Sequence, residues 1–144
     1  RGRLGRARRN DGRPRGVRDL DELLRGLRPE RRVGEYVVVS TTSESTLPAL
    51  ATVVEDEGTT LVLERHHADA FRLEHTATFA WITLTVHSSL EAVGLTTAVS
   101  RALAAQGIPC NVLAGFHHDH LLVPFDRAED ALAVLEGLSS AGRA

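Results

Sequence analysis

The sequence predicts an α/β sandwich, and two observations lead to that class. Segments rich in β-branched residues alternate with segments whose apolar residues recur at helical spacing. The second half of the chain has the order β-α-β-β-α, which a ferredoxin-like unit completes with one further strand. Only AGRA follows the last predicted helix, so we expect the further strand to come from the N-terminal half or from another subunit.

The first half contains one predicted helix, one strand and a hairpin. RDLDELLRGLRPE places its leucines on one helical face and meets Pro29, which stops the helix. EYVVVSTT, residues 35–42, is predicted to be a strand. ALATVVEDEGTTLVLE is predicted to be a hairpin that turns at residues 56–58, and RHHADAFRL is typical of a short helix or turn.

The second half gives stronger signals. TFAWITLTVH, residues 78–87, is predicted to be a strand, and residues 88–107 a helix. Ser88 and Glu91 have capping-box spacing at its start, and Gly107 ends it. Two strands and a last amphipathic helix are then predicted at residues 109–115, 119–125 and 126–140.

Composition sets limits on the partners. Residues 1–32 carry twelve arginines and five acidic residues, whereas residues 33–144 carry five arginines and fourteen acidic residues. The body of the protein is therefore acidic and offers no basic face to a phosphate backbone, so we expect no nucleic-acid partner. Residues 1–17 lack apolar periodicity and are expected to be disordered; the alternative is an arm that binds nucleic acid or a membrane surface.

The compartment is predicted from cysteine usage and hydropathy. Cys110 is the single cysteine, which excludes an internal disulfide and fits a reducing, cytoplasmic location. It is predicted to be a small buried side chain and not a nucleophile. No apolar run approaches the roughly 18 residues that span a bilayer, and the N-terminus does not have the pattern of a secretory signal. We therefore expect no membrane partner.

One continuous region resembles a known family. WITLTVHSSLEAVGL, followed by GIPCNVLAGFHHDHLLVP, is similar to the ACT domain, a small regulatory module that commonly binds amino acids. The combined string resembles small bacterial ACT proteins with a degenerate N-terminal half and a fuller C-terminal one. The resemblance implies a ferredoxin-like ACT fold: an antiparallel sheet with helices on one face, built from two ACT-like halves. The implied organisation is a disordered extension, a degenerate half and an ACT domain at residues 1–17, 18–75 and 76–140.

The resemblance also implies a ligand site at the turn from strand to helix. A helix N-terminus suits a carboxylate, and Gly94 would let a ligand or a neighbouring backbone approach closely. The alternative is that Ser88 only caps the helix, Gly94 packs against the sheet and Asn111 satisfies a loop. The predicted ligand-binding residues are His87, Ser88, Ser89, Glu91, Val93, Gly94, Leu95, Asn111, Val112, His118 and His120.

The stretch FHHDHLLVPF raises the question of a metal. In an extended chain His118 and His120 share one face, while His117 and Asp119 share the other. A catalytic zinc site needs a third protein ligand, and His87 is the candidate if the first and third strands of the second half are neighbours. We interpret residues 115–118 as a hairpin turn and expect no metal.

These observations favour a regulatory or sensor protein that has no catalytic activity or cofactor. We expect it to bind a small molecule, an amino acid, at an ACT domain or subunit interface, and to form a homodimer. Two alternatives remain open: a metal-dependent enzyme using His118 and His120, and a purely structural dimerisation module.

Overall fold

The computed structural model describes residues 15–43, 46–86 and 93–141, and these form one antiparallel sheet with helices packed on it. The strand order is β2-β3-β1-β4-β6-β5. The strands are β1 Pro29–Thr41, β2 Ala51–Glu55, β3 Gly58–Glu64, β4 Phe79–Leu84, β5 Asn111–Ala114 and β6 Asp119–Pro124. The helices are α1 Arg15–Gly26, α2 Arg65–Ala70, α3 Leu95–Ala105 and α4 Ala128–Ala141, the last preceded by a 3-10 turn at Phe125–Arg127.

The missing strand of the C-terminal half comes from the same chain. Residues 29–32 of β1 pair antiparallel with β4, on the side of β4 opposite to β6. The order β1-β4-β6-β5 thus completes the ferredoxin-like sheet. Of the two predicted sources of the further strand, the N-terminal half and another subunit, the structure shows the first. β4 and β6, the first and third strands of that half, are also neighbours as expected.

The two halves repeat the same register around the central pair. Residues 36–41 of β1 pair with 64–59 of β3, just as residues 79–84 of β4 pair with 124–119 of β6. The hairpins correspond as well, because 51–54 pair with 62–59 as 111–114 pair with 122–119. Tyr36 and Phe79, which are equivalent, pair with each other. The sheet therefore has an internal two-fold repeat, which confirms the prediction of two ACT-type halves.

The helices lie on one face of this sheet, as predicted, and enclose two separate cores. Fourteen buried residues, among them Ile82 and Leu121, form the core beneath α1, α3 and α4 in the described part of the chain. Five buried residues, including Leu61 and Ala68, form the core beneath α2. In the described ranges no helix is both long and apolar enough to cross a bilayer.

The opposite face is concave and encloses a third cluster. Tyr36, Val62, Trp81 and Leu122 are at most 4% exposed there. The edge strands β2 and β5 line one cleft of about 260 Å³ on this face, so the sheet curls until its two edges face each other. Within the described ranges, no helix covers this face, and the curl accounts for the burial of the aromatic pair Tyr36 and Trp81, whose ring centroids are 5.5 Å apart.

Two predicted helix boundaries were wrong. A helix was predicted without a break over residues 88–107, but Gly94 has a φ of +96° that interrupts the helical backbone, and α3 begins at the next residue, Leu95. Ser88 and Glu91, the predicted capping box, lie outside the described residues. α1 begins at Arg15, so the last three residues of the segment expected to be disordered are helical, while residues 1–14 are outside the description.

A bulge interrupts β1 but has no counterpart on β4. Arg32 pairs with Trp81 and Tyr36 pairs with Phe79, so four steps along β1 match two along β4. The prediction of a strand from residue 35 therefore missed the part of β1 that precedes the bulge. Gly34, within the bulge, has a φ of +114°, which favours glycine. The Tyr36 hydroxyl donates a 2.6 Å hydrogen bond to the Val33 carbonyl and holds the bulge in place.

Candidate functional site

The start of α3, where the ligand site was predicted, is only partly described. Val93 is 81% exposed, whereas Leu95 is buried in the core beneath α3. A Cβ on Gly94 would lie 3.2 Å from Leu20 of α1, so the close neighbour of this glycine in the described structure is a leucine. Four of the predicted residues lie outside the described part: His87, Ser88, Ser89 and Glu91.

The remaining predicted residues divide between the two faces of the sheet. Val112 packs on the helix side, against the core that contains Leu95. Asn111 pairs with Leu122, a member of the concave cluster, so it belongs to the opposite face. His120 lies on that face too, beside Trp81. The structure therefore brings Val112 and Leu95 into one core and leaves Asn111 and His120 on the other side of the sheet.

The histidine-rich stretch forms the predicted turn. The Gly115 amide donates a 3.0 Å hydrogen bond to the His118 carbonyl and closes the hairpin between β5 and β6. A Cβ on Gly115 would lie 2.6 Å from that carbonyl oxygen, so only glycine fits there. His118 precedes β6, and its buried Nδ1 has no hydrogen-bond partner within the described ranges.

His120 is held in place by hydrogen bonds to neighbouring side chains of β4. Its Nδ1 accepts hydrogen bonds from Trp81 Nε1 at 3.1 Å and from the Thr83 hydroxyl at 3.0 Å. Burial lowers the pKa of His120, and electrostatic interactions with Arg32 and His118 lower it further. The imidazole is therefore neutral at pH 7, with its proton on Nε2, and its Nδ1 is already engaged.

The surroundings of Cys110 do not activate its thiol as a nucleophile. Burial raises the pKa of its thiol, which keeps the sulfur protonated and weakly nucleophilic at neutral pH. It is only partly buried, at the margin of the core beneath α3, so the predicted small apolar packing role holds but full burial does not.

A cleft of about 520 Å³ lies on the helix face, between α2 and the segment that leads into α4. Its volume is in the range typical of small-molecule sites. The β1 bulge forms its floor, and its lining residues are Arg31, Arg32, Val33, Gly34, Glu35, Arg65, His66 and Phe125.

The cleft lies where the two halves of the sheet meet. Arg65 directly follows β3 and Phe125 directly follows β6, so these two lining residues occupy equivalent positions in the internal repeat. The repeat is geometric and not chemical, because one wall presents a guanidinium and the other an aromatic ring. Such a cleft can distinguish the polar end of a ligand from its apolar end.

The charges in the cleft have both signs. Arg65 is 3.0 Å from Glu35 and 3.6 Å from Asp69, and its side chain is 49% exposed. Arg31 is 3.0 Å from Glu129 of α4 and lies 5.2 Å from the centre of the Phe125 ring. Exposed ion pairs of this kind contribute little to stability, because water screens them. A charged ligand can therefore replace one partner at low cost.

Three residues that can ligate a metal come together beside the cleft. In the described part of the chain, one ligand atom each from Glu64, His66 and His67 lie within 4.8 Å of one another. His118 and His120 do not belong to such a group of three among the described residues.

Sequence reasoning missed both the cleft and this group. RHHADAFRL was interpreted only as a short helix or turn, although the preceding Glu64 gives an acid and two histidines within four consecutive positions. That spacing at the end of a predicted strand was the available signal. The cleft gave no comparable signal, since Arg31, Arg65 and Phe125 are far apart in the sequence.

Comparisons with known proteins agree with this architecture. Two family models described as ACT domain match residues 15–80 and 77–137. A crystal structure of a Vibrio cholerae protein of unknown function, described as a possible transport protein, is 43% identical, with a TM-score of 0.79. The match covers 86% of this chain and 98% of that one.

More distant structures share the fold alone. Escherichia coli aspartokinase III in complex with aspartate and ADP is 14% identical with a TM-score of 0.57, over 81% of this chain and 33% of that one. The regulatory subunit of aspartate kinase from Thermus thermophilus is 7% identical with a TM-score of 0.54, over 78% of this chain and 98% of that one. The search of curated proteins found no match.

Proposed function

Because the chain belongs to the ACT-domain family, we propose that it is a non-catalytic regulatory protein that binds an amino acid in the cleft between its two halves. The observation that carries the proposal is the pairing of Arg65 with Glu35 in a cleft that also contains Phe125. A zwitterion needs a cation for its carboxylate and an anion for its ammonium group, and this pair offers both. The Phe125 ring provides apolar surface for a side chain.

One of the solved structures that share this fold, Escherichia coli aspartokinase III, is in complex with aspartate and ADP, and this chain matches one third of that enzyme. The proposal for this chain rests on its own cleft, where the α-carboxylate of the ligand binds Arg65 and the α-ammonium group binds Glu35. Charge-assisted hydrogen bonds of this type are among the stronger ones in proteins.

A thermal-unfolding screen against each of the twenty common amino acids tests the proposal. At 100 times its dissociation constant, a ligand that binds only the folded state adds about 2.7 kcal/mol to the free energy of unfolding. We expect one amino acid, or a small chemically related set, to raise the melting temperature. If none of them does so at millimolar concentration, the proposed ligand class is wrong.

The turn before α3 remains the alternative position for the ligand. It is the site that the family resemblance implies, although the structure places Asn111, one of its predicted residues, on the face of the sheet opposite to α3. The two positions are separable, because Arg65→Gln removes binding in the cleft and Ser89→Ala removes binding at the turn.

We also propose that two copies associate through the β2 edge. β2 is an edge strand, and Val54, Val53 and Leu50 are 84%, 50% and 47% exposed there. An apolar edge strand is a template for pairing with a second strand. Light scattering should give the mass of a dimer for the wild type and of a monomer for Val54→Lys; a monomeric wild type would refute this interface. A dimer that no amino acid perturbs would favour the structural dimerisation module.

A further inference from the structure

We propose that Glu64, His66 and His67 form a binding site for a divalent transition-metal ion of the zinc type. The three side chains lie at the junction of β3 and α2, beside the cleft. This inference does not depend on the proposed amino-acid ligand, because it concerns the metal alone.

The geometry of the three ligand atoms carries the inference. Glu64 Oε2 is 3.2 Å from His66 Nδ1 and 3.8 Å from His67 Nε2, and all three ligand atoms lie within 4.8 Å of one another. In tetrahedral zinc sites with bonds of about 2.0–2.1 Å, the ligand atoms are about 3.3 Å apart. Small side-chain rotations therefore bring all three atoms onto one ion.

The donor set selects the class of metal. Two imidazole nitrogens and one carboxylate oxygen are the ligands of zinc sites in which a fourth position stays open. Nitrogen donors disfavour magnesium and calcium, which prefer oxygen. The open position belongs to water or to a small ligand, and His66 lines the neighbouring cleft from which such a ligand would arrive.

The surrounding charges permit a cation here. Arg65 stands between Glu64 and His66 in the sequence, but its guanidinium forms ion pairs with Glu35 and Asp69 instead. Its charge is thus balanced by two carboxylates. The imidazoles are also accessible, since the side chains of His66 and His67 are 70% and 39% exposed.

Among the described residues, the C-terminal half has no equivalent group. By the register of the repeat, Glu64, His66 and His67 correspond to Pro124, Asp126 and Arg127, and neither proline nor arginine ligates metals. The ligand set is therefore a property of the N-terminal half and not of the repeated fold.

The experiment is zinc binding to tag-free protein by calorimetry, with cobalt(II) absorption as a second readout of nitrogen coordination. Wild type should bind one zinc per chain, and zinc should raise its melting temperature. Glu64→Gln and His67→Ala should each weaken zinc binding by about tenfold or more, since even the loss of an outer-shell partner has that effect. Both variants should melt like the wild type in the presence of a chelator.

His117→Ala is the matched control, because it removes an exposed histidine on the hairpin of the other half. It should bind zinc like the wild type. The proposal is overturned if the wild type takes up no zinc, which would leave Glu64 as a neighbour of the two imidazoles only. It is equally overturned if the Glu64 and His67 variants keep wild-type affinity, or if the control loses it.

Discussion

The two halves of this protein share one sheet plan but differ in the helices that cover it. Over β4 and β6, three helices enclose fourteen buried residues in the described part of the chain. Over β1 and β3, the six-residue α2 encloses five. The connection from β4 to β5 contains α3, whereas the described residues of the connection from β1 to β2 contain no helix. A repeated strand register thus does not require a repeated helix layer.

This difference has a functional consequence. In the C-terminal half the helices cover the sheet, and the first residue after β6 is an aromatic one that packs against the core. In the N-terminal half the equivalent position is Arg65, and the short α2 leaves it half-exposed together with the neighbouring histidines. Stability is concentrated in one half and polar chemistry in the other.

A matched leucine pair tests this division with the largest expected effect. Leu61 and Leu121 occupy equivalent positions of the repeat and are 7% and 1% exposed. Leu121→Ala should lower the free energy of unfolding by about 4 kcal/mol, and Leu61→Ala by about 2 kcal/mol, because the cost grows with the cavity that the surroundings cannot fill. Chemical denaturation measures both. Equal losses, or a larger loss at Leu61, would contradict the asymmetry.

The bulge on β1 is the next point of difference. Gly34→Ala should destabilise the protein by about 1–3 kcal/mol, since a φ of +114° strains any residue with a Cβ. Gly137→Ala is the control: Gly137 lies within α4, with no atom near its added Cβ, and alanine should stabilise that helix by about 0.5–1 kcal/mol. Thermal unfolding of the two variants should shift in opposite directions. A neutral Gly34→Ala would mean that the bulge does not need glycine.

The pH dependence of stability should also differ between the halves, because the C-terminal half has the titratable His120 where the N-terminal half has Thr60. The pKa of His120 is lowered in the folded state by burial first and then by Arg32 and His118, while Asp119 opposes the shift. As the pH falls below the ordinary imidazole value of about 6.5, the unfolded state therefore takes up the proton first, and stability declines.

The variant His120→Thr introduces the residue of the other half at this position. It should be less stable at pH 8, where Trp81 and Thr83 lose their acceptor, but its stability should decline less steeply between pH 7 and pH 5. Denaturation curves at several pH values measure the two slopes. Parallel curves for the wild type and the variant would show that His120 does not titrate differently in the folded protein.

Local signals predicted most of the strands and helices. The two hairpin turns are predicted by Asp56-Glu57-Gly58 and by Gly115, because glycine and short polar residues adopt the backbone conformations that tight turns require. The start of α3 was misjudged, because Ser88 and Glu91 have capping-box spacing while Gly94 adopts a positive φ that a sequence pattern does not reveal. The sequence left two alternative sources for the missing strand, because pairing between residues that are 43 to 55 positions apart, as in β1 and β4, leaves no local pattern.

The candidate sites were less predictable than the fold. The family resemblance implies a ligand site at the turn before α3, and that site stays a prediction. The cleft depends on the two extra residues of the bulge, which shift the pairing of β1 with β4, and on Arg65 and Phe125, which line it from the two halves of the sheet. Both are consequences of tertiary pairing, so no periodicity in the sequence indicates them.

The most direct test of the central claim is calorimetric titration of the amino acid selected by the thermal screen into three proteins. Wild type and Arg127→Gln should bind it equally, because Arg127 forms its 3.0 Å ion pair with Asp130 outside the cleft. Arg65→Gln should bind it about tenfold or more weakly, because the carboxylate loses a charge-assisted hydrogen bond. Unchanged affinity in Arg65→Gln would contradict the account and move the ligand away from the cleft between the halves.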